Sequence, residues 1–593
     1  MRPDKLKLNP ESNPSSDHLI LLGRGLSQDR SLGSTFFARD WSSAWVNFLL
    51  QEVGSYSLSF IEKFNFDKLK KYSFVYLPHS MVDKLYPIHQ NLFKSYVESG
   101  GTLVVEGGAA NSLDFIGVKF SSKKETLKSI TCVQGGTWPR ELADLLIRTP
   151  FETRGWEIES LSDDTHTILE MERTPTLLRR CLGRGSVVIL GFDFGLLLTG
   201  LQQGTPVEGA YRLKKLFGHQ HRVIEPEDLV LKASLLNNPV PWADLFERFL
   251  FKVITAERPA PRWWYFPGNY TGAVISTHDD EAIGLDPRLE SMCQTEKSLG
   301  VRATYFVISD PKLHERWGGN GNLKRLNDEG AEVGLHWNRF QKPKLKLRSF
   351  KFGMHEEPLR EQIQFLEKET GASIRINRTH YLALGSFYDE HFKKLAQEEI
   401  PFDSTYGPNQ GGRGYLFGTG YPYYGLTWEG RISGVLELPF LTQELWGGAD
   451  LAFIQRLIAE SDKNFHQVVT MNFHPHYKVL YEEGREAWLG GLRFAKERGQ
   501  WTPTVGEFFR FFEERSKSSL QSQWADGRLE VTTESQADTI TLSFPSRTLE
   551  GKNLSKIEVD EIEKTPQHLV NGWFEESLVQ IPRGPHKVRA VYA

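Results

Sequence analysis

One stretch of this chain constrains its fold and chemistry more than any other: residues 271–281, with the sequence TGAVISTHDDE. Its first half is small, β-branched and uncharged, which is typical of a buried strand. The strand then ends in polar residues that include the adjacent carboxylates Asp279 and Asp280. Two carboxylates at the mouth of an apolar strand repel each other and lose hydration, so a metal, an arginine or a shared proton must compensate. Capping of the next helix by aspartate is the alternative interpretation.

The composition bounds the class of protein. A chain of 593 residues is too long for one ordinary core, which predicts about three domains. The formal net charge of -4 does not indicate the basic surface that nucleic-acid binding requires. Cys132, Cys181 and Cys293 are odd in number and far apart, so no disulfide framework is indicated. Because the first residues lack an apolar signal segment and no later run reaches membrane-spanning length, we expect a cytoplasmic protein with no membrane partner.

Residues 17–255 are predicted to form a parallel α/β domain. Apolar strands are expected at HLILL, SFVYL, TLVVE and SVVIL, with helical patterns between them. Such alternation indicates a parallel sheet covered on both faces. The phrases SFVYLP, FKSYVESGGTLVVEGG and GRGSVVILGFDFG resemble the class I glutamine amidotransferase-like fold, a flavodoxin-like arrangement. That family needs a cysteine on the turn after the strand that ends here at Glu106. The chain continues Gly107-Gly108 without a thiol, so this domain is expected to be non-catalytic, a scaffold or a ligand-binding partner.

Two other regions, residues 263–266 and 525–593, have distinctive patterns. Residues 263–266 are four consecutive aromatics in a Pro-rich connection, and they either line a sugar groove or join domains. Residues 525–593 alternate polar and apolar residues with period two, with turns at short intervals. That pattern predicts a small antiparallel β domain, a sandwich.

Residues 262–515 alternate strands and helices in the manner of a (β/α) barrel, whose chemistry lies at the carboxyl ends of its strands. Strands are expected at 303–307, 332–335, 373–376, 434–438 and 468–473, and a helix at 356–370. Polar side chains follow these strands: Asp279 and Asp280, then His336, then Arg378 and His380, then His474 and His476. Metal-assisted hydrolysis needs oxygen and imidazole ligands, a base for water and an acid for the leaving group.

These motifs resemble the polysaccharide deacetylases, the NodB-like barrel of carbohydrate esterase family four. THDD occupies the position of that family's Thr-Phe-Asp-Asp motif, and GVRATYFV and GAEVGLH match its next two strands. RTHY stands at the Arg-x-Pro-Tyr motif, FDSTY at the next motif, and NFHPHY at the closing histidine motif.

The resemblance implies a role for each position. Asp279 would be the base, Arg378 a clamp on that base, and His474 the acid. Asp280 and His336 would be metal ligands, and the substrate would be an N-acetylated carbohydrate. Two imidazoles and a carboxylate suit Zn, although Mn, Co or Ni also fit.

Two departures from the family pattern matter. Phe340 stands where the family has its second metal histidine, four residues after the first. We expect His380 to replace it; His355 and His476 are weaker candidates. The Asp that usually orients the acid histidine is also missing, because its place holds Tyr406, with Asp403 nearby.

Three functions therefore remain open from the sequence. The first is a metal-dependent deacetylase of an N-acetylated sugar. The second is a related amidohydrolase that acts on a non-sugar substrate. The third is a degenerate carbohydrate-binding protein that has kept the barrel and lost catalysis.

Overall fold

A computed structural model describes seventeen segments of the chain, namely residues 16–23, 39–81, 84–132, 152–205, 213–216, 219–222, 224–230, 233–280, 287–309, 322–339, 358–385, 387–409, 412–444, 450–475, 482–548, 551–570 and 575–593. None of the helices in them combines the length and the apolar character that crossing a membrane requires.

The N-terminal region contains one large mixed sheet with helices packed against it. The strands of this region are β1 (His18–Leu22), β2 (Ser57–Phe60), β3 (Phe74–Leu77), β4 (Thr102–Glu106), β5 (Val118–Leu127), β6 (Ile130–Cys132), β7 (Thr153–Leu161), β8 (Thr165–Met171), β9 (Thr174–Leu182), β10 (Gly185–Leu190), β11 (Leu213–Leu216), β12 (His219–Arg222) and β13 (Asn237–Asn238). Its helices are α1 (Ala44–Glu52), α2 (Pro87–Glu98), α3 (Gly107–Ala110), α4 (Phe194–Gln202), α5 (Pro226–Leu229) and α6 (Trp242–Ile254).

The strand order of that sheet is β2-β1-β3-β4-β10-β9-β8-β6. The first five strands are parallel, as predicted, because helices or long connections lie between them. The last three strands extend the sheet by antiparallel pairing, which was not predicted from the sequence. The predicted α/β class is confirmed, and the parallel part of the sheet brings the ends of β3, β4 and β10 to one edge.

The central region is a curled half-barrel of nine strands. The strands of this region are β14 (Arg262–Trp263), β15 (Ala273–Asp280), β16 (Thr304–Val307), β17 (Glu332–Trp337), β18 (Ile376–Thr379), β19 (Phe402–Asp403), β20 (Arg413–Gly414), β21 (Tyr423–Leu426), β22 (Ile432–Glu437), β23 (Thr442–Gln443) and β24 (Val468–Phe473). The helices are α7 (Pro287–Ser298), α8 (Asn322–Asp328), α9 (Leu359–Thr370), α10 (Glu390–Gln397), α11 (Leu451–Glu460), α12 (Glu482–Glu497) and α13 (Val505–Lys517).

The order of the barrel sheet is β21-β22-β19-β18-β17-β16-β15-β24-β23, and only β21 runs antiparallel to its neighbour. The carboxyl ends of β15, β17, β18 and β24 therefore meet on one side of the sheet. One strand lies later than predicted: β18 begins at Ile376 rather than 373, which places Arg378 inside the strand. The register pairs Arg378 with His336 and Thr277 with Asn472.

The C-terminal region is antiparallel, with strands β25 (Ser519–Ala525), β26 (Arg528–Pro545), β27 (Leu554–Val559), β28 (Ile562–Lys564), β29 (Gln567–Val570) and β30 (Glu575–Tyr592). Its described strands form a single sheet with β14, where the sequence analysis expected the two facing sheets of a sandwich. The second layer is helical, because α13 packs against β26. The four aromatics at 263–266 are all buried, so they join domains and do not line an open sugar groove.

Candidate active site

The end of β15 holds Asp279 between two fixed donors. Nη1 of Arg378 lies 3.0 Å from Asp279 Oδ1, and Nδ2 of Asn472 donates to Oδ2 at 2.8 Å. The same Asn472 accepts from Arg378 Nη1 through its Oδ1, again at 2.8 Å. The carboxylate of Asp279 is therefore held on both oxygens by side chains from β18 and β24, and the predicted contact between Arg378 and Asp279 is present.

Arg378 is buried and every part of its guanidinium is engaged. Its Nε donates to the Ser404 carbonyl at 2.7 Å, and Nη2 donates to Ser404 Oγ at 2.8 Å. The guanidinium also lies over two aromatic rings, 4.4 Å from the centre of Phe306 and 4.6 Å from that of Phe440. A guanidinium that donates to Ser404, Asp279 and Asn472 and lies over two rings is a rigid cation, which a lysine ammonium could not reproduce.

The ionisation of Asp279 follows from these contacts. Burial alone would raise the pKa of this carboxyl, since it disfavours the charged form. The guanidinium of Arg378 and the imidazoles of His336 and His474 outweigh burial and hold the pKa of Asp279 below its ordinary value. Asp279 is thus an ionised carboxylate at neutral pH, the form that can accept a proton.

His474 follows β24 and faces the same carboxylate. Its Nε2 lies 3.8 Å from Asp279 Oδ2. Its Nδ1 lies 2.8 Å from Oε1 of Glu444, and the backbone N–H of His474 donates to the same oxygen at 2.9 Å. A carboxylate only accepts, so Nδ1 is the donor, and Glu444 fixes both the tautomer and the orientation of the ring.

Glu444 supplies the contact that the sequence analysis looked for elsewhere. Asp403 is instead bonded to His391 Nε2 at 2.5 Å and to Asn377, and Tyr406 uses its backbone N–H to reach Glu437. Neither of the two expected positions touches His474 in the described contacts. The sequence carries little signal for Glu444, because it stands six residues past the predicted strand 434–438. It directly follows the short strand β23, whose Gln443 pairs with Asn472 of β24, and that strand was not predicted.

His336 and His380 form a pair at the ends of β17 and β18. Nδ1 of His336 donates to the Arg378 carbonyl at 2.9 Å, and Nδ1 of His380 donates to Oδ1 of Asn338 at 3.1 Å. Each ring therefore keeps its lone pair on Nε2, as metal-ligating histidines with an oxygen partner do. The two ring centres are 5.1 Å apart, and two imidazoles sharing a tetrahedral zinc have centres roughly 5 Å apart.

The rings of His336 and His380 are placed as two metal ligands would be, but the described residues do not assemble a complete ligand set. Among the described residues, no three His, Cys, Asp or Glu side chains come together in a way that would hold a metal ion. Asp280 is buried at the end of β15 and does not complete such a group with His336 and His380. The donor chemistry thus fits at two positions, and the third ligand stays a prediction.

His380 lies two residues after Arg378, and in an extended strand the two side chains would face the same side. The strand ends at Thr379, and His380 begins a turn in which Tyr381 has a left-handed φ of 58°. The ring of His380 stacks on Tyr381, 3.9 Å between centres, and the turn rather than the pleat carries it toward His336.

His278 points away from Asp279, as strand alternation requires for neighbouring residues. Its Nε2 lies 2.9 Å from Glu296 Oε1 on α7, and its Nδ1 lies 3.0 Å from the Phe473 carbonyl. It is a structural group beneath the site and offers no substitute for Asp279. The candidates Phe340, His355 and His476 lie outside the described residues.

No protein-family model and no curated protein matches this sequence. Among solved structures, the chain is similar to a pseudoenzyme of carbohydrate esterase family four from Bacillus anthracis, with 19% identity, covering 40% of this chain and 66% of that one at a TM-score of 0.25.

Two further solved structures are similar over the same share of the chain. The Bc1960 peptidoglycan N-acetylglucosamine deacetylase shows 15% identity over 41% of this chain and 90% of its own, with a TM-score of 0.25. The family-four domain of a multidomain xylanase from the Trinervitermes trinervoides hindgut metagenome shows 14% identity over 40% and 90%, with a TM-score of 0.23. Active enzymes and a pseudoenzyme occur together in this set, and TM-scores this low carry no functional argument.

Proposed function

We propose that this protein is a metal-dependent hydrolase that removes acetyl groups from an N-acetylated sugar or a related carbohydrate. The observation that carries the proposal is the arrangement of Arg378, Asp279 and His474. An ionised carboxylate clamped by a cation lies 3.8 Å from an imidazole that is itself backed by Glu444. A base and an acid thus face one place, as amide hydrolysis requires.

Asp279 is proposed to take the proton of the attacking water. Arg378 and Asn472 each occupy one of its oxygens and keep it ionised and fixed in direction. Each carboxylate oxygen has a second lone pair for the water. The clamp lowers the basicity of Asp279, and this cost is compensated by having the base permanently in position.

His474 is proposed to protonate the departing amine nitrogen. Glu444 keeps the proton on Nδ1, so the second proton of the imidazolium sits on Nε2, which faces Asp279. The carboxylate of Glu444 also stabilises the positive ring before the proton is delivered.

His336, His380 and Asp280 are proposed to hold a divalent metal, with Zn favoured and Mn, Co or Ni compatible. Such an ion polarises the acetyl carbonyl and lowers the pKa of water. The Arg378 carbonyl and Asn338 orient the two imidazoles by accepting from their Nδ1 atoms. Loss of such a partner typically weakens metal binding about 10- to 100-fold.

One observation favours a second candidate, a non-catalytic carbohydrate-binding protein. The described residues contain no three-ligand group, and a divalent ion held by two imidazoles alone would be weakly bound. The two candidates share a sugar ligand and differ in metal content and turnover.

Metal analysis of the purified full chain separates these candidates. We expect about one divalent ion per wild-type chain and a clear loss in His380→Ala, while the matched control His89→Ala on the surface helix α2 retains the ion. Acetate release is then measured across N-acetylated oligosaccharides and N-acetylated amino acids; release from the latter alone would identify a non-sugar amidohydrolase. A metal-free wild-type protein that still binds sugar would overturn the enzyme proposal.

A further inference from the structure

The barrel sheet has an open edge at β21. This strand pairs with β22 on one side and is the last strand in the order of the sheet. An edge strand presents a row of backbone N–H and C=O groups that invite pairing with another chain. On β21 the outward groups are those of Tyr424 and Leu426, two residues apart, as the alternation of a strand requires.

Two side-chain amides from the N-terminal region occupy those groups. Asn47 on α1 donates from Nδ2 to the Tyr424 carbonyl at 3.0 Å and accepts from the Tyr424 N–H at 2.9 Å. Gln203, directly after α4, does the same with Leu426, at 2.8 Å and 2.7 Å. A carboxamide carries a donor and an acceptor side by side, so it can pair with a strand as a neighbouring peptide would.

Both amides are buried and held by their own helices. Asn47 is 5% exposed and Gln203 is 1% exposed, so water does not compete for these hydrogen bonds. The backbone N–H of Gln203 caps α4 by donating to the Thr199 carbonyl at 2.8 Å. Hydrogen bonds from buried side chains that are already held in position stabilise a structure more than exposed ones, because little side-chain entropy is lost in forming them.

The helix that carries Asn47 is itself tied to the barrel. Arg515, on α13 at the end of the barrel segment, donates to the carbonyls of Leu50 and Gln51 at the C-terminus of α1. A second bond from its Nη2 reaches the Trp263 carbonyl at 2.7 Å. A cation at a helix C-terminus satisfies the last carbonyls and complements the helix dipole. The position of α1 relative to β21 is therefore held at two points, by Asn47 within the helix and by Arg515 at its C-terminus.

We propose that the N-terminal domain is the edge cap of the barrel, with Asn47 and Gln203 standing in for the missing tenth strand. The barrel is then not an autonomous unit, and its open edge is protected from pairing with a second chain by side chains rather than by sheet closure. This role is independent of the chemistry proposed for Asp279 and requires no substrate or metal.

Hydrogen exchange of the full chain tests the proposal without reference to activity. In Asn47→Leu combined with Gln203→Met, which keep the side-chain size, we expect the amides of Tyr424 and Leu426 to exchange about 10- to 100-fold faster. The strand β24, which does not pair with β21, serves as the internal reference and should be unchanged.

The chain offers a matched control. Asn111 makes the same reciprocal pair with Phe120, at 2.8 Å in both directions, within the N-terminal region. Asn111→Leu should therefore leave exchange in β21 as in the wild type. If the double variant does not fold, each single variant is read at its own amide, Tyr424 for Asn47→Leu and Leu426 for Gln203→Met. Unchanged exchange in β21, or an equal rise in β24, would overturn the proposal.

Discussion

Two parallel sheets in this chain end in buried carboxylates, Asp279 in the barrel and Glu106 in the N-terminal sheet. Asp279 has Arg378 at 3.0 Å, and its pKa lies below the ordinary value. Glu106 accepts from Trp45 Nε1 and the His79 N–H, both uncharged donors. Burial first, and then the Asp193 and Asp40 carboxylates, raise the pKa of Glu106 well above its ordinary value.

The two carboxyl groups differ in whether an arginine side chain pairs with them. Arg154, the arginine at the N-terminal edge, pairs with Asp193, which also caps α4. The pKa of Glu106 is therefore raised, whereas that of Asp279 is lowered. Carboxyl groups at the ends of parallel strands thus differ in ionisation between the two sheets, because a cation offsets burial in the barrel and like charges add to burial in the N-terminal sheet.

The largest expected effect is on turnover. Asp279→Asn keeps the shape and removes the proton acceptor, so we expect kcat to fall by up to about 10⁴-fold. Glu106→Gln, the matched change in the other sheet, should leave kcat within about twofold, because the raised pKa of Glu106 favours its neutral form and Glu106 lies in a different sheet from Asp279. Acetate-release kinetics on both variants measure this, and an equal loss in the two would break the comparison.

The second effect is on stability. Arg378→Met leaves Asp279 buried without its cation and should cost about 3–5 kcal/mol of unfolding free energy. Arg154→Met should cost less, about 1–2 kcal/mol, because Arg154 reaches solvent and water can replace part of its contact with Asp193. Urea unfolding followed by tryptophan fluorescence compares the two. A larger loss at Arg154 would show that the N-terminal cluster depends on its cation as the barrel does.

A smaller effect concerns the acid. Glu444→Gln removes the charge behind His474 and should lower kcat about 10- to 100-fold with little change in KM. Glu444→Asp should recover part of this loss, since it restores the carboxylate. The metal content serves as the control and should be unchanged in both variants. A rise in KM at constant kcat would assign Glu444 to substrate binding instead.

The smallest effect is a pH dependence at Glu106. Because its folded pKa is raised, the folded state holds a proton that the unfolded chain loses near its ordinary value of 4.5. Stability should therefore fall as pH rises above about 4.5, by about 1.4 kcal/mol for each unit of pKa difference. Glu106→Gln removes this slope, so its gain over the wild type should grow with pH. Melting temperatures across pH 4 to 8 measure it, and a constant difference would mean that Glu106 is ionised.

The sequence by itself determined the parts that depend on local pattern. Continuous apolar runs placed most of the parallel strands of both sheets, but they missed β2, β19 and β23 and placed the start of β18 three residues too early. The period-two alternation after residue 525 placed the antiparallel sheet. Polar residues directly after strands, such as Asp279 and His336, were brought together because parallel strands end at one edge. These features need only the residue and its near neighbours.

The tertiary structure alone decided the partners that come from far along the chain. Glu444 reaches His474 and Asn47 reaches Tyr424 across separations that no local periodicity encodes. The same holds for the raised pKa of Glu106, which depends on its burial and on the nearby carboxylates of Asp193 and Asp40. Strand position follows from hydrophobic pattern, but hydrogen-bond partners and ionisation follow from curvature and burial, which exist only once the sheets have formed.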